Sequence, residues 1–364
     1  MGESWRRWKR PNAGKYRCEL DHPVASRLHA VRLILGYNVM LKAKLLAGGG
    51  AETLYVDDAF SAYTYTGNGS TQTITNGIDL SGQGGMVWFK SRSAAMDHWL
   101  VDTDRTGSKG LYSNATSAQA TATNSISAFN SNGFSITNAS GYENSSGGAS
   151  SYISWTFRKA PKFFDVVTWT GNGANRTIAH SLGQEVGMIL VKRTDTTSDW
   201  QVYHRSLSNV QYLVLNTTAA QASDATRWNS TTATTSVFSL GTEAAVNASG
   251  GTYVAYLFAH DTGTDGIIQC GSFTTDGSGN ATVNHGWSAG VQFAAIKASS
   301  TTGDWEMYDT ARTAAWSGSD ARLRANLSNA EDSVSRLSAS GTSVSFAGLS
   351  ASATYVYLFI VTPT

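Results

Sequence analysis

Two aspartates two residues apart, Asp102 and Asp104 in Val101-Asp102-Thr103-Asp104-Arg105, are the nearest approach to a catalytic pair in this chain. Alternate residues of a strand share a face. Glycoside hydrolysis needs two carboxylates roughly 5 to 9 Å apart across the sugar bond. The Glu-x-Asp-x-x-Glu order of sandwich glucanases is missing, however, and the matching stretch further on reads Val202-Tyr203-His204-Arg205. A surface loop or ion pair is the first expectation for these acids, a calcium or sugar contact the second, and catalysis the last.

Other signatures point the same way. There is no Gly-x-Ser-x-Gly elbow, Walker loop, Gly-x-Gly-x-x-Gly or His-Glu-x-x-His. No catalytic residue, metal or cofactor is therefore expected, and the chain is read as a non-enzyme. His180 and His285 occupy equivalent places where an earlier stretch has Asn76, so a turn-stabilising role is expected for them in preference to metal ligation. Trp99, Trp200 and Trp305 recur and are expected as core anchors. Trp228, Trp287 and Trp316 have no such counterparts and sit among Ser, Thr, Asn and Gly. An aromatic face stacks on a sugar while neighbouring amides and hydroxyls bond its oxygens, so these three are the candidate carbohydrate contacts, with capping of their own sandwich or packing on a neighbour as the first expectation.

These residues are positioned by a repeat. Tyr65-Thr66-Gly67-Asn68-Gly69 returns 104 residues later as Trp169-Thr170-Gly171-Asn172-Gly173, and after another 104 as Phe273-Thr274-Thr275-Asp276-Gly277. Gly85-Met86-Val87-Trp88-Phe89-Lys90 is followed by Gly187-Met188-Ile189-Leu190-Val191-Lys192 and by Val291 to Lys297. Each copy closes on an aromatic strand, Tyr152 to Phe157, Tyr253 to Phe258 and Tyr355 to Phe359. A unit of about 100 residues can bury its own core. The alternating apolar runs between Gly and Asn clusters suit half-buried antiparallel strands. The expected fold is all-β: three tandem antiparallel β-sandwiches of jelly-roll or concanavalin-like kind, over 51–161, 162–262 and 263–364. The joints at Arg158-Lys159-Ala160-Pro161-Lys162 and His260 to Gly266 are short, so the sandwiches should form a stiff rod or cluster.

Composition agrees. The 364 residues are 41% hydrophobic and only 15% charged, below the usual ~25%. Cys18 and Cys270 make no disulfide framework. Arg32, Lys42 and Lys44 interrupt the most apolar stretch, so no membrane span is expected. Residues 1–45 carry ten Lys or Arg against three acids, a net +7, which leaves 17 against 23, a net −6, for the remainder. Residues 1–50 form a basic arm with a possible amphipathic helix over Arg27 to Leu46. It reads as an unfolded tail, as residues upstream of a start at Met40, or as an anchor for an acidic or nucleic-acid-loaded partner. The Asn-x-Ser/Thr triplets at Asn114, Asn216, Asn229 and Asn326 are compositional.

Taken together, Tyr55-Val56-Asp57-Asp58-Ala59-Phe60, Gly67 to Leu80, Trp169 to Gly173, His180-Ser181-Leu182-Gly183, Gly187 to Arg193 and Tyr253 to Phe258 resemble an uncharacterised family of virion structural proteins from tailed, mainly marine bacteriophages. The resemblance covers roughly residues 40–364. It implies a tail fibre or lectin-like sandwich protein at the virion surface, held to other virion proteins by the N-terminal arm, with a homotrimer expected by analogy. A host surface glycan is the expected ligand, and a capsid decoration or collar element the alternative. Third comes a carbohydrate-active enzyme.

Overall fold

β-Branched and aromatic residues at alternate positions, punctuated by Gly and Asn, produce short strands joined by tight turns. The computed structural model describes residues 53–121, 125–137, 142–147, 150–314, 316 and 318–363. The basic arm, its expected helix and Cys18 lie outside these residues. The first repeat contributes β1 (Phe60–Thr66), β2 (Gln72–Thr75), β3 (Gly85–Ser91), β4 (Trp99–Asp102), β5 (Lys109–Leu111), β6 (Ala120–Thr121), β7 (Ile126–Asn130), β8 (Gly133–Ile136) and β9 (Ser151–Arg158). The second has β10 (Phe164–Thr170), β11 (Arg176–Ala179), β12 (Val186–Arg193), β13 (Gln201–His204), β14 (Gln211–Val214), β15 (Ala222–Ser223), β16 (Val237–Leu240) and β17 (Thr252–Ala259). The third has β18 (Ile268–Thr274), β19 (Ala281–Asn284), β20 (Val291–Ala298), β21 (Trp305–Asp309), β22 (Asp320–Arg324), β23 (Asp332–Val334), β24 (Leu337–Ser340), β25 (Ser343–Phe346) and β26 (Thr354–Val361). Single helical turns, α1 (Val56–Ala59), α2 (Leu80–Gln83) and α3 (Ala244–Asn247), are the only helices among the described residues.

Each repeat builds a six-stranded antiparallel sheet of one strand order: β1-β9-β3-β4-β5-β6, β10-β17-β12-β13-β14-β15 and β18-β26-β20-β21-β22-β23. A small sheet accompanies each: β2-β8-β7, β11-β16 and β19-β25-β24. The chain is thus all-β with several antiparallel sheets, as its patterning predicts.

The expectation of half-buried strands holds at β2, β11 and β19 and is corrected at the central strands. β3 is buried at every position, and β12 and β20 nearly so. In the first repeat, Val87 and Phe89 pack with Trp99, Phe134 and Ile136 in a core shared with the small sheet. Their neighbours Met86 and Trp88 point the other way, because successive side chains alternate. They enter a second core that also holds Met188, Leu190 and Phe258 of the second repeat and Phe293, Met307 and Leu358 of the third. Residues 54–364 accordingly form one compact unit.

Phe157 is the meeting point of this common core. Its ring lies 5.0 Å from Phe60 in its own repeat, 5.4 Å from Phe258 of the second and 6.2 Å from Phe293 of the third. A residual cavity of about 30 Å³ adjoins it, lined by apolar side chains of all three repeats. Its apolar lining offers no polar partner to hold a water. Phe157→Ala should lower unfolding free energy by about 3–5 kcal/mol, read from guanidinium midpoints. A loss below about 1 kcal/mol would mean the three sheets do not depend on a common core.

Candidate functional site: the junctions between repeats and their closing seam

The recurring aspartates and asparagines set the junctions. Asp97, Asp199 and Asp304 accept from the side-chain amides of Asn114, Asn216 and Asn326 at 2.6, 2.7 and 2.8 Å. Those asparagines in turn accept from the backbone N–H of His98, Trp200 and Trp305. The Asn-x-Ser/Thr triplets at these three positions therefore mark a structural clamp. Each clamped ring then reaches into a neighbouring repeat. Trp200 Nε1–H donates to Tyr112 O of the first repeat at 2.8 Å, and Trp305 Nε1–H to Val214 O of the second at 3.0 Å. His98 Nε2 lies 2.9 Å from Arg324 O of the third. Trp88 Nε1–H donates to His98 Nδ1, which leaves Nε2 as the protonated nitrogen.

The expected equivalence of Trp99 with Trp200 and Trp305 is corrected. His98 is the counterpart, and Trp99 faces the core of its own repeat, where Nε1–H donates to Ser125 Oγ. A one-residue slip moves a strand side chain to the opposite face.

Backbone bonds repeat the pattern. Gln119 N–H donates to Thr194 O, Gln221 N–H to Ser299 O and Glu331 N–H to Arg92 O. A third set is more varied. Asp102 Oδ2 accepts from Tyr256 Oη, His204 Nε2 lies 3.1 Å from Tyr357 O, and Asp309 Oδ2 accepts from Trp155 Nε1. First meets second, second meets third, and third meets first, so the contacts close a cycle.

Lys90, Lys192 and Lys297 are fully buried beside these junctions. Burial lowers each amine to about 8. Each donates to the carbonyl of the next residue, and Lys192 and Lys297 also reach Thr116 O and Thr218 O of the preceding repeat.

Asp102 and Asp104 do not face each other as a catalytic pair. Asp102 is buried on Arg105, while Asp104 meets Lys159 at 3.0 Å. In all three repeats the i+2 backbone N–H donates to the turn residue, to Asn76 Oδ1, His180 Nδ1 and His285 Nδ1. The histidines are thus turn braces, as their exchange with Asn implies.

The candidate carbohydrate contacts are not brought together. Trp228 is 1% exposed, donates to Gln211 O and packs edge-on against Tyr203. Trp316 is also 1% exposed, within the third repeat's own core. Neither offers a face to a sugar. Trp287 is half-buried beside His285.

The junction from third to first repeat differs, because no linker crosses it. Here Arg92 grips Glu331 with two bonds of 2.9 and 2.8 Å. Arg312 adds a third at 3.2 Å and is itself held by Asp309, both side chains being fully buried. Its guanidinium lies 5.4 Å from the Trp155 ring centre. An open cleft of about 350 Å³ adjoins this network, lined by Arg312, Thr313, Ser319, Glu331, Asp332 and Ser333. Ser319 and Ser333 share a hydrogen bond, and Arg322 and Arg324 hold the Asp332 carboxylate. The cleft therefore presents fixed hydroxyls and charges. None of its residues is singled out by the sequence reading. One signal was available: Asp-x-x-Arg recurs as Asp102/Arg105 and Asp309/Arg312.

The comparisons bear on the same span. Residues 56–360 match a domain of unknown function (DUF7483). The chain belongs to that family. The match runs through all three repeats and ends one residue short of the end of β26, so the DUF7483 domain here corresponds to the whole cyclic unit rather than to one repeat. No curated protein matches the chain.

One further group in this domain has chemistry to spare. Glu143 is 1% exposed, and its carboxylate oxygens have no hydrogen-bond partner among the described residues. It stands where the second repeat has Val246: Tyr65 donates to the carbonyl of the first, Trp169 to that of the second. Burial raises Glu143 to about 7. An unfolded Glu releases its proton near 4.3. Between that pH and 7 the folded state holds more protons, so this group makes stability fall as pH rises. Glu143→Gln should remove that fall, seen as a shallower drop in urea midpoint from pH 5 to 7.5. Identical slopes in both proteins would contradict it.

Proposed function

We propose that this chain is a non-enzymatic virion structural protein, a tail-fibre or spike component that meets a host surface glycan. Its three repeats are taken as β-sandwiches of jelly-roll or concanavalin-like kind, and the N-terminal arm as the attachment to other virion proteins. The observation that carries the structural part is the closure of the cycle: a matching backbone bond and a ring-to-carbonyl contact recur at all three junctions, which favours a stiff block. Such a block suits a mechanical or display role. A homotrimer of chains remains part of the reading, and would multiply weak contacts further.

For glycan contact, support shifts from the tryptophans to the cleft at the closing seam. Its volume of about 350 Å³ is at the lower end of small-ligand sites, roughly 300–1,000 Å³. Its serine and threonine hydroxyls and its carboxylates can bond sugar hydroxyls. The burial of Trp228 and Trp316 favours the second reading, a capsid decoration or collar element without host contact.

Gold-labelled antibody on intact virions separates the two. Label on fibres or the tail tip, with host polysaccharide retaining the wild-type protein and Ser333→Trp weakening retention at least tenfold, is the expected result. Label over the head or collar, or equal retention of wild type and variant, would overturn the glycan reading.

A further inference from the structure

The three junctions are copies of one another in their backbone bonds, yet only two are spanned by peptide. Residues 159–163 join the first repeat to the second, and 260–267 join the second to the third. The third junction is reinforced by charge instead. Where the first junction has Thr194 and Gln119 and the second has Ser299 and Gln221, the third places Arg92 and Glu331 on the same backbone pairing. A bidentate Arg–carboxylate pair is stronger and more directional than a neutral contact. It stands where no covalent link keeps the two faces at high effective concentration.

The linker that holds the first repeat is itself strained. Lys162, directly after Pro161, is held at φ 62, in the left-handed region. A side chain with a Cβ is disfavoured there. The first repeat is thus tied covalently at one side only, by a short hinge in which straightening relieves the Lys162 backbone but gives up bonds such as Lys162 N–H to Leu182 O at 2.7 Å. Both of its contact faces are head-to-tail surfaces, which a second molecule can satisfy as well as its own chain can.

We propose that a second copy of this chain is a partner at this seam: the first repeat swings out on residues 159–163 and docks between the second and third repeats of another molecule, and the exchange is reciprocated. Every bond of the closed cycle is then re-formed between chains. Arg92, Glu331 and Arg312 are the latch that holds the cycle closed in the monomer, and relief of the left-handed Lys162 is the hinge's contribution towards exchange. This inference depends on the cycle alone, not on the virion reading.

The test uses the full chain in a Cys18→Ser background, in which buried Cys270 is the remaining thiol. Glu331 N and Arg92 O are 2.9 Å apart, so cysteines at these two positions are close enough to bridge. One chain carries Arg92→Cys and the other Glu331→Cys. The two are refolded together at high protein concentration and oxidised, and a chain carrying both substitutions serves as the control. Exchange predicts a covalent dimer of the two single variants, growing with concentration. A control that closes within one chain while the mixture yields no covalent dimer would overturn the proposal.

Light scattering on the otherwise unmodified chain gives an independent reading. After refolding at high concentration a dimer should be present. Lys162→Gly, which accepts the left-handed hinge without strain, should reduce the dimer fraction several-fold. A purely monomeric wild type, or a dimer fraction that Lys162→Gly leaves unchanged, would also overturn it.

Discussion

Each six-stranded sheet has two apolar faces and one small sheet to cover them, and the rest of the unit follows from where the second face goes. Val87 and Phe89 are covered within their own repeat, whereas Met86 and Trp88 are covered by the other two. A single repeat would leave this second face open to water, an exposed apolar area that soluble monomers avoid. Three sheets turned towards a common centre remove the problem for one another, with Phe157 in contact there with both Phe258 and Phe293.

Polar groups then specify the arrangement that apolar burial alone would leave loose. The carbonyls of Tyr112, Val214 and Arg324 each receive a ring nitrogen from another repeat. Losing such a partner would leave a buried acceptor unpaired, at a cost of about 1–3 kcal/mol. The buried Asp309–Arg312 pair and the three enclosed lysines belong to the same logic. Taking their charges out of water is unfavourable, and each is tolerated where several acceptors converge on it. These groups select one register among the many ways three apolar faces could meet.

Much of the strand pattern was legible in the sequence, because Gly and Asn turns and two-residue alternation report local geometry directly. The three-fold repetition was legible for the same reason. What escaped was set by contacts distant along the chain. Alternation marks two faces but does not say that both are covered. Arg92 and Glu331 are 239 residues apart, and neither residue looks unusual in its own neighbourhood. The exchange of His98 for tryptophan broke the visible motif and drew attention to Trp99, one residue out of register. The polar neighbours of Trp228 and Trp316 left a sugar contact open beside packing, and the core reaches both side chains.

The central claim is that the three repeats fold as a single cooperative cycle. Scanning calorimetry of the full chain tests it most directly. The account predicts one unfolding transition for residues 54–364 whose calorimetric and van't Hoff enthalpies agree. Two or three resolved transitions, or a calorimetric enthalpy several times the van't Hoff value, would show that the repeats unfold independently and would contradict it.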